Sequence, residues 1–144
     1  MTVIPDSALR EIKAGKWEQM RFDDIAVQYP ETYKIWFEDI GSCRCPGGES
    51  VAELRDRVKA EFDKIASEND EKTIMVATHA TPLRAMWCVW HGLPISEMKN
   101  AKWAPNASVT VVDYDNNGGY EVVMYGEAEH LIKEGLVTEL PKNI

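Results

Sequence analysis

The chain has three histidines and three cysteines, few enough that each can be weighed for chemistry by its surroundings. His79 has the strongest setting. It follows Thr73-Ile-Met-Val-Ala-Thr78, a short apolar run of strand formers without clean alternation, and precedes Ala80-Thr-Pro-Leu-Arg84, which opens an apolar stretch through Trp90. The run suits a central parallel strand buried on both faces, and the whole reads as strand, loop and helix. In an open α/β sheet, ligands bind beyond the carboxyl ends of the parallel strands, which is where His79 falls. The N–H groups that open the next helix face the same crevice with a partial positive charge, so an imidazole and an anion site stand side by side. That pairing suits a phosphoryl group. Spacing alone leaves equally open a histidine that caps the helix or packs.

The other candidates are weaker. Cys43 and Cys45 with a histidine could hold zinc, but no second cysteine pair and no His-x-x-x-His spacing supports it. A catalytic cysteine would need a phosphate-cradling loop directly after it, and none follows. The odd cysteine count, with two cysteines one residue apart, points to free thiols in a reducing cytoplasm. No metal and no cofactor is expected. His91 falls at the far end of the apolar helix and His130 beyond the last strands, so both read as structural. Arg44 and Arg84 are the cations nearest His79, best read as surface or helix-packing charges.

The elements that must position His79 follow from periodicity and punctuation. Residues 9–17 are ambiguous. Residues 23–28 suit a short helix, and Pro30 starts a second one through Asp39 with Tyr33, Trp36 and Phe37 as an aromatic stripe for the core. Pro46-Gly-Gly-Glu-Ser50 is a turn feeding a firm helix, because Ser50 can cap it while Glu53 reaches back in a capping box. Val51, Leu54, Val58, Phe62 and Ile65 recur at steps of three and four, and the charges between them, Arg57 included, read as a mostly solvated face. Gly92 and Pro94 close the helix after His79. Residues 108–114 and 120–125 are strand-like and joined by Asp115-Asn-Asn-Gly-Gly119, a hairpin signal.

Composition sets the outer bounds. With 144 residues, 44% of them hydrophobic, the chain suits a single domain over residues 1–144. A net charge of −8 and a pI near 4.9 argue against a surface that grips nucleic acid or an anionic membrane, so an anionic substrate needs a local cationic pocket. The first residues lack a signal-peptide pattern and no apolar run approaches membrane-spanning length, so a cytoplasmic protein is expected. Yet only two or three strands are available to cover the helices, and the sheet reads as short of strands.

Five motifs then occur in one order: Leu9-Arg-Glu-Ile-Lys-Ala-Gly-Lys-Trp-Glu18, Tyr29-Pro-Glu31, Pro46-Gly-Gly-Glu-Ser50, Val76-Ala-Thr-His79 and Asn106-Ala-Ser-Val-Thr110. Together, over nearly the whole chain to His130-Leu131, they resemble the histidine phosphatase superfamily, the phosphoglycerate mutase-like proteins. The resemblance implies a three-layer α/β/α fold with a mostly parallel sheet and, here, a C-terminal antiparallel hairpin. It implies phosphoryl transfer or hydrolysis of small phosphate esters in which a first histidine attacks phosphorus and forms a phosphohistidine. A second histidine and two arginines hold the oxygens, and a carboxylic acid protonates the leaving oxygen. By motif match Glu11 is that acid and His79 the second histidine, with the N–H of Ala80 facing phosphate. The logic is sound, since a dianionic phosphate needs donors around it and disposes a carboxyl group beside it to hold a proton.

Two departures matter. Ala80-Thr81-Pro82 stands where many members have glycine beside the histidine, and Pro82 fits the first helical turn. More seriously, the Arg-His-Gly strand that carries the nucleophile, and the later arginine-bearing segment, have no counterpart. The chain therefore reads as the C-terminal two-thirds, roughly, of such a domain. One expectation is an enzyme acting on a small phosphorylated metabolite, of which this chain is a part that is inactive alone. The other is a non-catalytic remnant binding a phosphate ester or a protein partner. A generic α/β interaction domain, alike only in fold, is the least favoured reading. Open sheet edges lead us to expect a homodimer or strand-swapped dimer.

Overall fold

The structure, a computed structural model, describes residues 2–115 and 117–136. Two 3-10 turns, Ser7–Leu9 and Gly15–Trp17, bracket an extended stretch through Glu11, which resolves the ambiguous opening segment. Helices α1 (Phe22–Gln28) and α2 (Pro30–Glu38) follow, then a 3-10 turn at Ile40–Ser42, α3 (Val51–Glu68), α4 (Ala80–Trp90) and a 3-10 turn at Ile95–Asn100. The chain closes with strands β1 (Val109–Tyr114) and β2 (Tyr120–Glu127) and the short α5 (Glu129–Ile132).

Helix α3 starts where its sequence says it should. Ser50 Oγ accepts from Glu53 N at 3.1 Å and Glu53 Oε2 accepts from Ser50 N at 3.0 Å, so two otherwise orphaned donors are satisfied reciprocally. From there Val51, Leu54 and Val58 are fully buried against Ala85, Met86 and Cys88 of α4. Each such side chain stabilises the fold by about 1.5–3 kcal/mol relative to exposure. Ile25, Ile40 and Met98 complete the same core. Tyr33 and Trp36 pack on it as the stripe requires, whereas Phe37 stays more exposed.

The hairpin is antiparallel, with Val112 opposite Val122 and Tyr114 opposite Tyr120, and its register shifts twice towards Val109. Asp115 Oδ1 organises the turn by accepting from Asn117 N and Gly119 N, while Asn116, part of the turn signal, lies outside the described residues. Two aromatic hydrogen bonds dock the hairpin on α4: Tyr120 OH donates to Val89 O, and Trp90 Nε1 donates to Tyr114 OH, both at 2.7 Å.

The parallel strand expected at residues 73–78 is corrected. The segment carries no helix or strand assignment, and among the described residues it forms no ladder. Ile74 is 44% exposed and Met75 81% exposed, not buried on two faces. A strand is a property of a pair, and here no other strand lies alongside. The sheet of the described residues is β1–β2 alone, in a mixed α/β fold.

Candidate functional site

Helix α4 begins beside the extended stretch after the first 3-10 turn. His79 is its N-cap residue, with φ −123° and ψ 175°, and offers no capping hydrogen bond from its own side chain. Glu11 supplies that bond from across the chain: its Oε2 accepts from Thr81 N at 3.2 Å, while Oε1 accepts from Ile12 N at 2.6 Å. A carboxylate at the positive end of a helix is electrostatically favoured, which explains why it settles there. Thr78 Oγ1 donates to Leu9 O at 2.8 Å and fixes the two segments side by side one residue before His79. Glu11, His79 and the Ala80 N–H thus share one helix start, with His79 exposed and Glu11 half-buried.

What holds the Glu11 segment is a residue assigned to the solvated face. Arg57 reaches off α3 and donates to the carbonyls of Ala8, Arg10 and Glu11 at 2.7, 3.1 and 3.1 Å. It also pairs with both oxygens of Glu49, at 2.6 and 2.9 Å. Glu49 Oε2 in turn accepts from Lys13 N, and Glu49 N donates to Lys13 O at 2.8 Å. Burial pushes the Glu49 carboxyl up, but the Arg57 bonds and charge and the Lys13 N–H outweigh it, holding the carboxyl below the usual 4.5. The signal for Arg57 was its place next to Val58 and three residues after Leu54, on the flank of the apolar stripe, where a long stem can run inward.

The same approach accounts for the glycines. A Cβ on Gly48 would collide with Lys13 O, and one on Gly15, at φ +60°, would collide with Pro46 O. Only glycine lets the 13–16 and 46–49 segments close on each other, so the Pro-Gly-Gly-Glu turn is a clamp on the Glu11 segment as well as a helix start.

The remaining candidates stay apart from this helix start. Arg44 is exposed and pairs with Glu53. His91 Nδ1 donates to Trp87 O at 2.7 Å and His130 Nε2 to Ala107 O at 3.1 Å, both at exposed positions. Cys43, Cys45 and Cys88 are buried free thiols; burial pushes Cys43 up to about 11 and Cys45 to about 12. Among the described residues no group of three or more His, Cys, Asp or Glu side chains could hold a metal ion, and no helix is long and apolar enough to cross a membrane. With Thr81 N given to Glu11, Leu83 N donating to His79 O and no N–H on Pro82, the Ala80 N–H is the donor left at this helix start; with an imidazole and a carboxyl group beside it, the arrangement can bind an oxyanion, orient it and exchange a proton with it.

Known proteins share this arrangement of elements. Phosphoserine phosphatase 1 of Hydrogenobacter thermophilus is 30% identical over 115 residues, a match covering 78% of this chain and 53% of that protein. The probable phosphoglycerate mutase GpmB of Erwinia tasmaniensis is 25% identical over 134 residues, covering 90% of this chain and 62% of that one. The solved structure of Bacillus stearothermophilus YhfR superposes with a TM-score of 0.83 at 22% identity, over 88% of this chain and 62% of that one, and so supports the fold. The chain spans 53% and 62% of the length of these two curated relatives. Since the description "Histidine phosphatase superfamily (branch 1)" matches residues 1–127, most of the chain, the chain belongs to that superfamily.

Proposed function

We propose that this chain supplies the acid and the second histidine of a phosphoryl-transfer site acting on small phosphate esters. Glu11 is the proton donor to the leaving oxygen, His79 holds a phosphoryl oxygen, and the Ala80 N–H adds helix-start attraction for the anion. The observation that carries this reading is the hydrogen bond from Thr81 N to Glu11 Oε2, which brings the acid to the helix start that His79 caps. The nucleophile is a histidine that becomes phosphorylated. Residues 1–144 hold no Arg-His-Gly, so they are inactive alone, and full activity needs that group from elsewhere. Whether the whole protein is a phosphatase or a mutase then depends on segments lining the rest of the pocket.

The wider picture is of the same kind. Segment 73–78 becomes the central strand of a mostly parallel sheet in a three-layer α/β/α domain once a partner strand pairs with it. Its setting is the cytoplasm, where buried unpaired thiols remain reduced.

The test is a titration with inorganic phosphate followed by NMR of the imidazole and backbone amide signals. The His79 ring and the Ala80 amide should move together and saturably, the His91 and His130 rings should not, and His79→Ala should abolish the Ala80 response. Phosphate that perturbs only residues remote from α4 would overturn the assignment.

A further inference from the structure

A second cationic site lies on another side of α4. A cavity of about 240 Å³ is lined by Trp36, Phe37, Ile40, Arg84 and Lys99. It is smaller than the roughly 300 Å³ at which pockets for drug-sized ligands begin, so it suits a fragment with one charged head and a ring or short chain. Of the five lining residues three are apolar and two cationic, and none is acidic. In a chain of net charge −8 that is an unusual local balance.

Arg84 gives the cavity its chemistry. Its Nη2 donates to Met98 O at 3.1 Å and its guanidinium stands 5.9 Å from the centre of the Trp103 ring. Its Nε is buried and has no hydrogen-bond partner among the described residues. Burial pulls the guanidinium down from its usual range, and what opposes this is the Tyr125 phenol and the Cys88 thiol rather than a carboxylate. A half-buried cation without an anionic partner is an incomplete arrangement, because buried polar groups in native proteins are almost always satisfied. Arg84 lies five residues beyond His79, about 7.5 Å along the helix axis and about 140° around it, so it serves a different place from the phosphoryl site.

We propose that this cavity binds a small organic carboxylate, its oxygens paired with Arg84 and Lys99 and its apolar body against Trp36, Phe37 and Ile40. The planar guanidinium donates to a carboxylate in fork geometry, whereas an inorganic dianion has no apolar body to set against Trp36, Phe37 and Ile40 and gives up its hydration with less in return. This inference does not rest on the role given to His79.

Benzoate is a suitable probe, with benzyl alcohol as its neutral analogue and inorganic phosphate as the alternative oxyanion. Titrations of the chain are read at the Trp36 indole N–H signal. Benzoate should shift it saturably, and benzyl alcohol and phosphate should bind at least tenfold more weakly. Lys99→Met, at an exposed position, should weaken benzoate at least fivefold, and Arg84→Lys, which keeps the charge but loses the fork, should do the same with the melting temperature monitored in parallel. His79→Ala should leave it unchanged. The proposal is overturned by any of four results: no benzoate response, equal affinity for benzyl alcohol, equal affinity for phosphate, or insensitivity to Lys99→Met. Loss of benzoate binding in His79→Ala would also overturn it, by assigning the anion to the phosphoryl site.

Discussion

Glu11 and His79 were singled out because each sits in a run of residues whose order is itself informative, and the fold brings them to the same helix start. Arg57 was not, since a charge among the charges of an amphipathic helix looks solvated until its partners are known. Those partners are three backbone carbonyls and Glu49, up to 49 residues away in sequence. Replacing Arg57 by Met should therefore destabilise the chain by about 2 kcal/mol or more in urea unfolding, because a half-buried Glu49 is left without its counter-charge. Arg57→Lys should recover little of that, a single ammonium being unable to reach several acceptors in different directions. A loss within a few tenths of a kcal/mol would show that the clamp is incidental. Glu49 adds a pH signature. Its carboxyl is held below 4.5, so its contribution is complete above that value and is lost as pH falls through the lower folded value. The stability gap between wild type and Glu49→Gln should be largest near neutrality and close on acidification; a gap constant down to pH 3 would refute this. The thiols make a simpler case. With Cys43 at about 11 and Cys45 at about 12, both are protonated and buried at neutral pH. Ellman's reagent should label all three cysteines promptly in denaturant and none promptly in the native chain.

At the scale of elements, the helices follow their sequence and residues 73–78 do not. Helix α3 is specified locally: a capping box starts it and a stripe of Val51, Leu54 and Val58 seats it on α4. Ser50→Ala should cost about 1 kcal/mol and Leu54→Ala about 2–5 kcal/mol, both measured by denaturant unfolding. Helix α4 is equally local, from Pro82 in its first turn to Gly92 at φ +63° beyond its end. A parallel strand has no such local definition. Its hydrogen bonds, and the burial of Ile74 and Met75, belong to neighbours distant in sequence, so a run of strand formers states a capacity rather than an outcome. Amide exchange can test this. In the monomeric chain the amides of residues 73–78 should exchange far faster than those of α3 and α4, and protection of the segment equal to theirs would show that it is already paired.

At the scale of the whole molecule, segment 73–78 and the proposed phosphoryl site lead to linked expectations. Segment 73–78 exposes Ile74 and Met75 and, among the described residues, joins no ladder, the arrangement that invites strand addition. Light scattering after size exclusion should find residues 1–144 self-associated, with the association weakened by Met75→Lys; a clean monomer at high concentration, unfolding cooperatively, would count against it. Such pairing could complete a sheet, but it would not supply a nucleophile. In the proposed division of roles, attack on phosphorus needs a histidine in line with the leaving oxygen, and a Glu11 that protonates a group leaving away from His79 is wrongly placed for attack by His79 itself. Nucleophile, clamp, second histidine and acid act as a unit, so loss of one part forfeits most of the rate. Residues 1–144 incubated with p-nitrophenyl phosphate and a chelator should accordingly show no turnover above that of the His79→Ala variant. Weak phosphate binding should nonetheless survive, since the attraction of a helix start for an anion needs no nucleophile. Turnover by the wild type that persists in the chelator and disappears in His79→Ala would mean that a complete site is assembled within these residues, and the division of roles between His79 and an external nucleophile would have to be abandoned.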